Sequence, residues 1–218
     1  MAIPAQRASA FIQNINTRFR DGIRLPAGDT LAASLQNTLQ NQLFAGGVGS
    51  TNNNWAAPAG KPEEVVLGDW TQGRLSQGRK FSAVAIMCKV RPVDASTANA
   101  TTLGDVQMAA RGISMNWGPE LGVSQKLGLI EDWPGFDPYQ NSTLLAAAVV
   151  TTQSYFGFGV RDVTGVRRLV EPLIWVGQDN PSFINLKAVG AVASWVPSQD
   201  LEVMVELAGF YESVVANQ

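Results

Sequence analysis

The stretch Phe183–Glu212, FINLKAVGAVASWVPSQDLEVMVELAGFYE, decides the fold. It holds two apolar runs joined by Pro197, Ser198, Gln199 and Asp200, and in the second run Leu201, Val203, Val205 and Leu207 alternate with polar Glu202 and Glu206. Alternation with period two marks a strand that buries one face, because successive side chains point to opposite sides of a sheet. Proline cannot donate to a ladder, and Ser and Asp side chains can bond nearby backbone, so the link reads as a tight reversal. The expectation is a β-hairpin with long strands, whose apolar face must be covered by more sheet.

Upstream, the same texture recurs from Pro62 onward: short apolar runs rich in β-branched and aromatic residues, punctuated by Gly, Pro, Asn and Asp. The strand candidates are 64–70, 80–91, 104–117, 143–151, 153–160, 167–177, 182–196 and 200–214. In KFSAVAIMCKV (80–90) the expected buried face is Val84, Ile86, Cys88 and Val90. Pro172 inside the 167–177 candidate argues for an edge or a bulge. Residues 118–142, with three prolines, read as an irregular insertion at one end of the body. So many long antiparallel strands cannot stay one open sheet, since both faces need cover and both edges need management. The fold class expected is all-β: an eight-stranded jelly-roll-like β-sandwich with an N-terminal arm and one short α-helix.

The boundary falls near Pro62, dividing an arm, helix and linker (1–62) from a sandwich body (63–218). In the first 24 residues Ile12, Ile15, Phe19 and Ile23 are spaced at three to four, which suits a short helix or an arm laid over a neighbour. GDTLAASLQNTLQNQLFAGG (28–47) offers Asp29 or Thr30 as N-cap, leucines at 31, 35, 39 and 43, and Gly46 as a left-handed stop. Its opposite face is Gln and Asn. Gly46–Gly60 has loop composition. On this reading, a chain lacking residues 1–45 keeps a folded β body and loses assembly.

Composition narrows the function classes. The chain of 218 residues is 45% hydrophobic and only 16% charged, against about a quarter charged in an ordinary soluble domain. Missing surface charge suggests an exterior covered by something other than water, and obligate interfaces between like copies are depleted in charge in this way. There is no histidine and one cysteine, Cys88, which removes a triad base, an imidazole zinc ligand and an internal disulfide. The N-terminus shows no basic segment followed by an apolar run, so a protein made in a reducing cytoplasm is expected. Arg7, Arg18, Arg20 and Arg24 face Asp21 alone in the first 24 residues, leaving twelve basic and seventeen acidic side chains on the remainder. A basic arm on an acidic body can meet nucleic acid, a membrane or an acidic neighbour.

Candidate chemistry is sparse. Glu131, Asp132 and Trp133, with Asp137 nearby, superficially form a paired-carboxylate, aromatic-lined site of glycosidase or sugar-binding type, though EDWPGFDP is equally a turn-rich loop. No Asp pattern matches a calcium loop, and Gly157 and Gly159 lie in strand-like sequence rather than before a helix. Trp117, Trp175 and Trp195 suit a core or interface rim, which leaves Trp55 and Trp133 as recognition aromatics. No cofactor, metal or small-molecule substrate is expected.

An arginine-bearing N-terminal segment, a short helix with Leu31, Leu35, Leu39 and Leu43, a polar linker and an all-β body together resemble, in plan, the jelly-roll capsid proteins of icosahedral viruses and phages. The resemblance implies a non-enzymatic subunit of a virion that tiles a shell with copies of itself or together with other capsid proteins, its arm tying neighbours together or facing the genome or an internal membrane. The arm is less basic than those that package RNA by charge alone. A phage tail or tail-tube subunit and a carbohydrate-binding β-sandwich module are the alternatives.

Overall fold

The computed structural model describes residues 11–36, 42–44, 73–93, 101–119, 125–133, 142–146, 149–153, 168–177 and 181–215. The strands are β1 (Phe11–Leu25), β2 (Gln42–Leu43), β3 (Arg79–Pro92), β4 (Ile113–Pro119), β5 (Gln125–Leu129), β6 (Ser142–Ala146), β7 (Val149–Gln153), β8 (Arg168–Val176), β9 (Ser182–Ala188) and β10 (Leu201–Val215). Two helices join them, α1 (Leu31–Ser34) and α2 (Thr102–Gly112). The chain is an all-β sandwich: one antiparallel sheet runs β1-β10-β3-β8, the other β2-β9-β4-β5, and β6 and β7 pair as a separate two-stranded ribbon.

β10 organises the first sheet. Leu201, Val203, Val205 and Leu207 are fully buried, as their alternation predicts. Opposite them, across the β1 ladder, stand Leu25, Ile23, Asp21 and Phe19; across the β3 ladder stand Pro92, Val90, Cys88 and Ile86. The second sheet answers with Leu43, Ile113, Met115, Leu127, Ile184 and Leu186. Cross-sheet contacts close the core: the Cys88 thiol lies 3.7 Å from the Met115 sulfur, and the Trp117 and Trp175 rings meet edge to face at 5.6 Å. Burial pushes the Cys88 thiol well above its ordinary value, which keeps it protonated and inert.

The face expected on β3 is right from Ile86 onward and wrong at Val84. A register shift between Ala208 and Gly209 leaves Val84 unpaired, so alternation changes phase and Phe81 and Ala83 turn inward in its place. Gly209 permits the bulge: a Cβ there would lie 2.1 Å from the Ser82 carbonyl oxygen.

Several other expectations are corrected. The N-terminal arm is, over residues 11–25, the edge strand β1, paired with β10 along its whole length, so the boundary near residue 62 does not separate it from the body. Phe19 packs edge to face on Phe81 at 4.8 Å, and inward-facing Asp21 is held because its carboxylate accepts the backbone N–H groups of Gly22 and Phe44 at 2.8 and 2.7 Å. The second of these bonds supports Phe44 in a left-handed conformation (φ 64°) that a bulky residue rarely adopts. The leucine helix is a single turn, with Thr30 as its N-cap accepting the Ala33 N–H at 3.2 Å; Leu31 and Leu35 are buried, Leu43 is in β2, and Leu39 lies outside the described residues. The candidate 104–117 divides into α2 and β4, α2 burying Val106, Ala109 and Ala110 on one face. Within 118–142, β5 is regular strand. The candidates 143–151 and 153–160 resolve into β6 and β7, with 154–160 outside the described residues, as is 64–70.

The opening hairpin is the largest correction. β9 and β10 are consecutive but belong to opposite sheets, so Val189–Asp200 is a crossing, not a reversal. It contains a 3-10 turn at Gly190–Val192 and supplies the Trp195 and Ala193 carbonyls to the Leu31 and Ala32 N–H groups of α1 at 2.8 and 2.9 Å. Ser198 donates its backbone N–H to Asp105 at 3.0 Å and its hydroxyl also contacts that carboxylate, while Asp200 accepts the Ala27 N–H at 2.7 Å. The polar residues of the link bond distant segments instead of one another.

Because β1 buries Phe19, Ile23 and Leu25, each worth roughly 1.5–3 kcal/mol against a total stability of about 5–15 kcal/mol, removing it leaves too little to hold the sandwich. A chain lacking residues 1–45 is therefore expected to be unfolded. Circular dichroism should show loss of strand signal and of a cooperative melt; a melt like that of the full chain would contradict it.

Candidate assembly face

The outward side of the β1-β10-β3-β8 sheet is built from the even-numbered residues of β10. At one end, Glu202 stands between Arg24 on β1 and Arg91 on β3, and Glu206 between Arg20 on β1 and Met87 on β3. Arg20 grips Glu206 through Nε and Nη2 at 2.9 and 2.5 Å, and Arg18 adds a bond at 3.2 Å. Arg91 Nε meets Glu202 at 2.7 Å, and Arg24 pairs with Asp200. Glu202 and Glu206 are buried although they lie on the side of β10 away from the core, as are Met87 and Met204 on the same face.

At the other end the same face turns apolar. Phe210 stands opposite Ser82, and Ser82 opposite Ile174, so the row crosses three strands with an exposed Phe and an exposed Ile at its ends. The next row places Glu212, Lys80 and exposed Val176 together. Val170, on the same edge strand, is fully exposed. Pairing of β3 with β8 shifts between Ala83 and Ala85, so Leu169–Pro172 bulge from the ladder, as Pro172 foretells. Exposed apolar residues gathered along one edge make this end of the face a candidate contact surface.

Around this edge lies a cleft of about 280 Å³ between β5 and β8, lined by Gln125, Lys126, Leu127, Trp133, Leu169, Val170 and Glu171. β5 and β8 are each the outermost strand of their sheet. Beyond the reach of β8, the Cys88 N–H donates instead to the Trp133 carbonyl at 2.7 Å.

The residues singled out in the sequence fall into three groups. Arg18, Arg20 and Arg24 lie in β1 with their guanidinium groups on carboxylates of the same chain, and Leu31, Leu35 and Leu43 belong to the core. Glu131, Asp132 and Trp133 are neighbours without converging on one opening. Glu131 pairs with Arg111 at 3.0 Å; Asp132 accepts the Leu129 N–H at 2.8 Å; Trp133 is buried and donates its indole N–H to the Leu127 carbonyl at 2.9 Å. Arg7, Trp55 and Asp137 lie outside the described residues. The exposed row and the cleft were missed, because nothing in Val170, Ile174 or Phe210 tells from sequence which face of its strand is covered.

Among the described residues no three His, Cys, Asp or Glu side chains gather as a metal site, and no helix is long and apolar enough to cross a membrane. Comparison with models of known protein families, with curated proteins and with solved structures finds no match.

The two ends of the face make unequal contributions to stability. The Glu206 side chain is 12% exposed and held by two arginines, whereas Glu212 is 31% exposed and meets Lys80 only at 3.5 Å. Glu206→Ala is expected to cost about 2–3 kcal/mol, because it leaves Arg20 without its main partner, and Glu212→Ala less than about 0.5 kcal/mol. Urea unfolding of the two variants measures the difference; equal costs would show that the network is solvated and weak.

Proposed function

We propose that this chain is a structural, non-enzymatic subunit that assembles with copies of itself into the capsid shell of an icosahedral virus or phage, from protein made in the host cytoplasm. The observation that carries the reading is the strand order. Setting aside the β6-β7 ribbon, the eight remaining strands pair first with last, second with seventh, third with sixth and fourth with fifth: β1 with β10, β2 with β9, β3 with β8 and β4 with β5. That nesting is what results when a four-rung antiparallel ribbon winds into a jelly roll, an architecture found in viral capsid domains and also in lectins. Fold alone does not choose between those hosts.

Surface chemistry supports the shell. The exposed Phe210, Ile174, Val176 and Val170 give the sandwich an apolar outer strip, the low charge of the chain suits broad contact between copies, and among the described residues each sheet ends in a strand paired on one side only. The sugar-binding alternative would need Trp133 and the neighbouring carboxylates open to one ligand, and these groups are engaged within the fold. Genome or lipid contact through the first residues gains little from Arg18, Arg20 and Arg24, whose charges are met by Glu206 and Asp200.

Light scattering and negative-stain microscopy of the purified full chain test the proposal. Closed particles of uniform diameter are expected. Tubes or stacked rings would favour the tail-tube alternative, and a 23.3 kDa monomer at every concentration and salt tried would remove the structural class altogether.

A further inference from the structure

Lys126 and Glu171 line the cleft from opposite sheets, Lys126 on β5 and Glu171 on β8, and both side chains are exposed. Among the described residues, neither side chain makes an ion pair or hydrogen bond with the other or with a third residue. On the other faces Arg18, Arg20, Arg24, Lys80, Arg91 and Arg111 meet carboxylates. The apolar part of the lining comes from Leu127, Leu169 and buried Trp133, with the fully exposed Val170 beside them.

We propose that this cleft is a two-fold contact between two copies of the chain, in which Lys126 of each copy meets the partner's Glu171 and Val170 of each enters the partner's cleft. The charge pattern argues for a second copy over other occupants. A two-fold axis makes any residue pair reciprocal, so one positive and one negative group at the same opening satisfy each other twice over. A simple anion or cation would neutralise one charge and leave the other. A sugar would need a polar aromatic edge, but the Trp133 indole N–H is already bonded to Leu127. The apolar part of the lining supplies attraction, and the two ion pairs fix orientation, since charges at an interface rim contribute more to specificity than to affinity. Exposed Ile174 and Val176 follow on the same strand, and Phe210 shares a row with Ile174, so further apolar area is at hand that a cleft of this size would lack alone.

The inference rests on the reading of the chain as a self-assembling subunit and adds the site of one contact. The test uses full-length Lys126→Glu, Glu171→Lys, the double exchange, and Val170→Asp, with self-association followed by sedimentation velocity. Each single exchange is expected to raise the concentration needed for association about tenfold, because each sets like charges together at two places. The double exchange should restore it to within about twofold of the unaltered chain, and Val170→Asp should abolish this association while leaving the circular dichroism unchanged. If the single exchanges act but the double exchange does not rescue, the reciprocal pairing is wrong. If all variants associate as the unaltered chain does, copies meet elsewhere; this inference falls and the shell reading stands. If the unaltered chain never associates, both fall.

Discussion

One strand with two incompatible faces and a partner on each side sets the terms for this molecule. β10 pairs with β1 through fifteen residues and with β3 through thirteen, so its apolar side can be buried only if both neighbours bury theirs. That condition holds Phe19, Ile23 and Leu25 on one flank and Ile86, Cys88 and Val90 on the other against the same layer. Its opposite side carries Glu202 and Glu206, and the same registers that align the core set arginines beside Glu202 on both flanks and beside Glu206 on the β1 flank. A slip of one residue would drive the carboxylates into the core and the valines out, which is why register here is strongly specified. The bulge at Val84, facing Gly209, is the one place where the ladder adjusts phase.

How much of this was legible depends on what a local pattern can encode. Leu201–Leu207 and Ile86–Val90 announce half-buried strands, and Pro172 announces a disturbed edge, because in each case the signal lies in neighbouring residues. β1 was hidden by its composition. Its inward side includes Asp21, whose burial makes sense only once the Phe44 N–H, twenty-three residues away, is seen bonded to it. The leucines at 31, 35, 39 and 43 are instructive in another way. A spacing of four satisfies a helix nearly and a period of two perfectly, so the same residues served one helical turn at Leu31 and a strand at Leu43. The link from β9 to β10 exposes a deeper limit, since alternation identifies a strand but not the sheet to which it belongs.

The proposed contact surface lay beyond reach for the same reason. Lys126 and Glu171 are forty-five positions apart, and each reads as an ordinary solvated residue of its own strand. Their meaning, as proposed, comes from β5 and β8 ending their sheets on the same side of the sandwich, with a 280 Å³ opening between them. The acidic and aromatic cluster that looked most like a site in sequence is instead joinery: Glu131 ties to α2, Asp132 closes a turn, and Trp133 supplies a carbonyl to β3 where β8 no longer reaches. A nested strand order, paired charges at one end of a face and an exposed apolar row at the other are the features on which the proposed self-assembly rests.

Native-state hydrogen exchange tests the central claim, that β1 is an integral partner of β10. The account predicts that amides of Phe19–Leu25 exchange as slowly as those of Leu201–Leu207 and are released with them in one cooperative opening. Exchange of Phe19–Leu25 at the rate of a free chain, while Leu201–Leu207 remain protected, would contradict it.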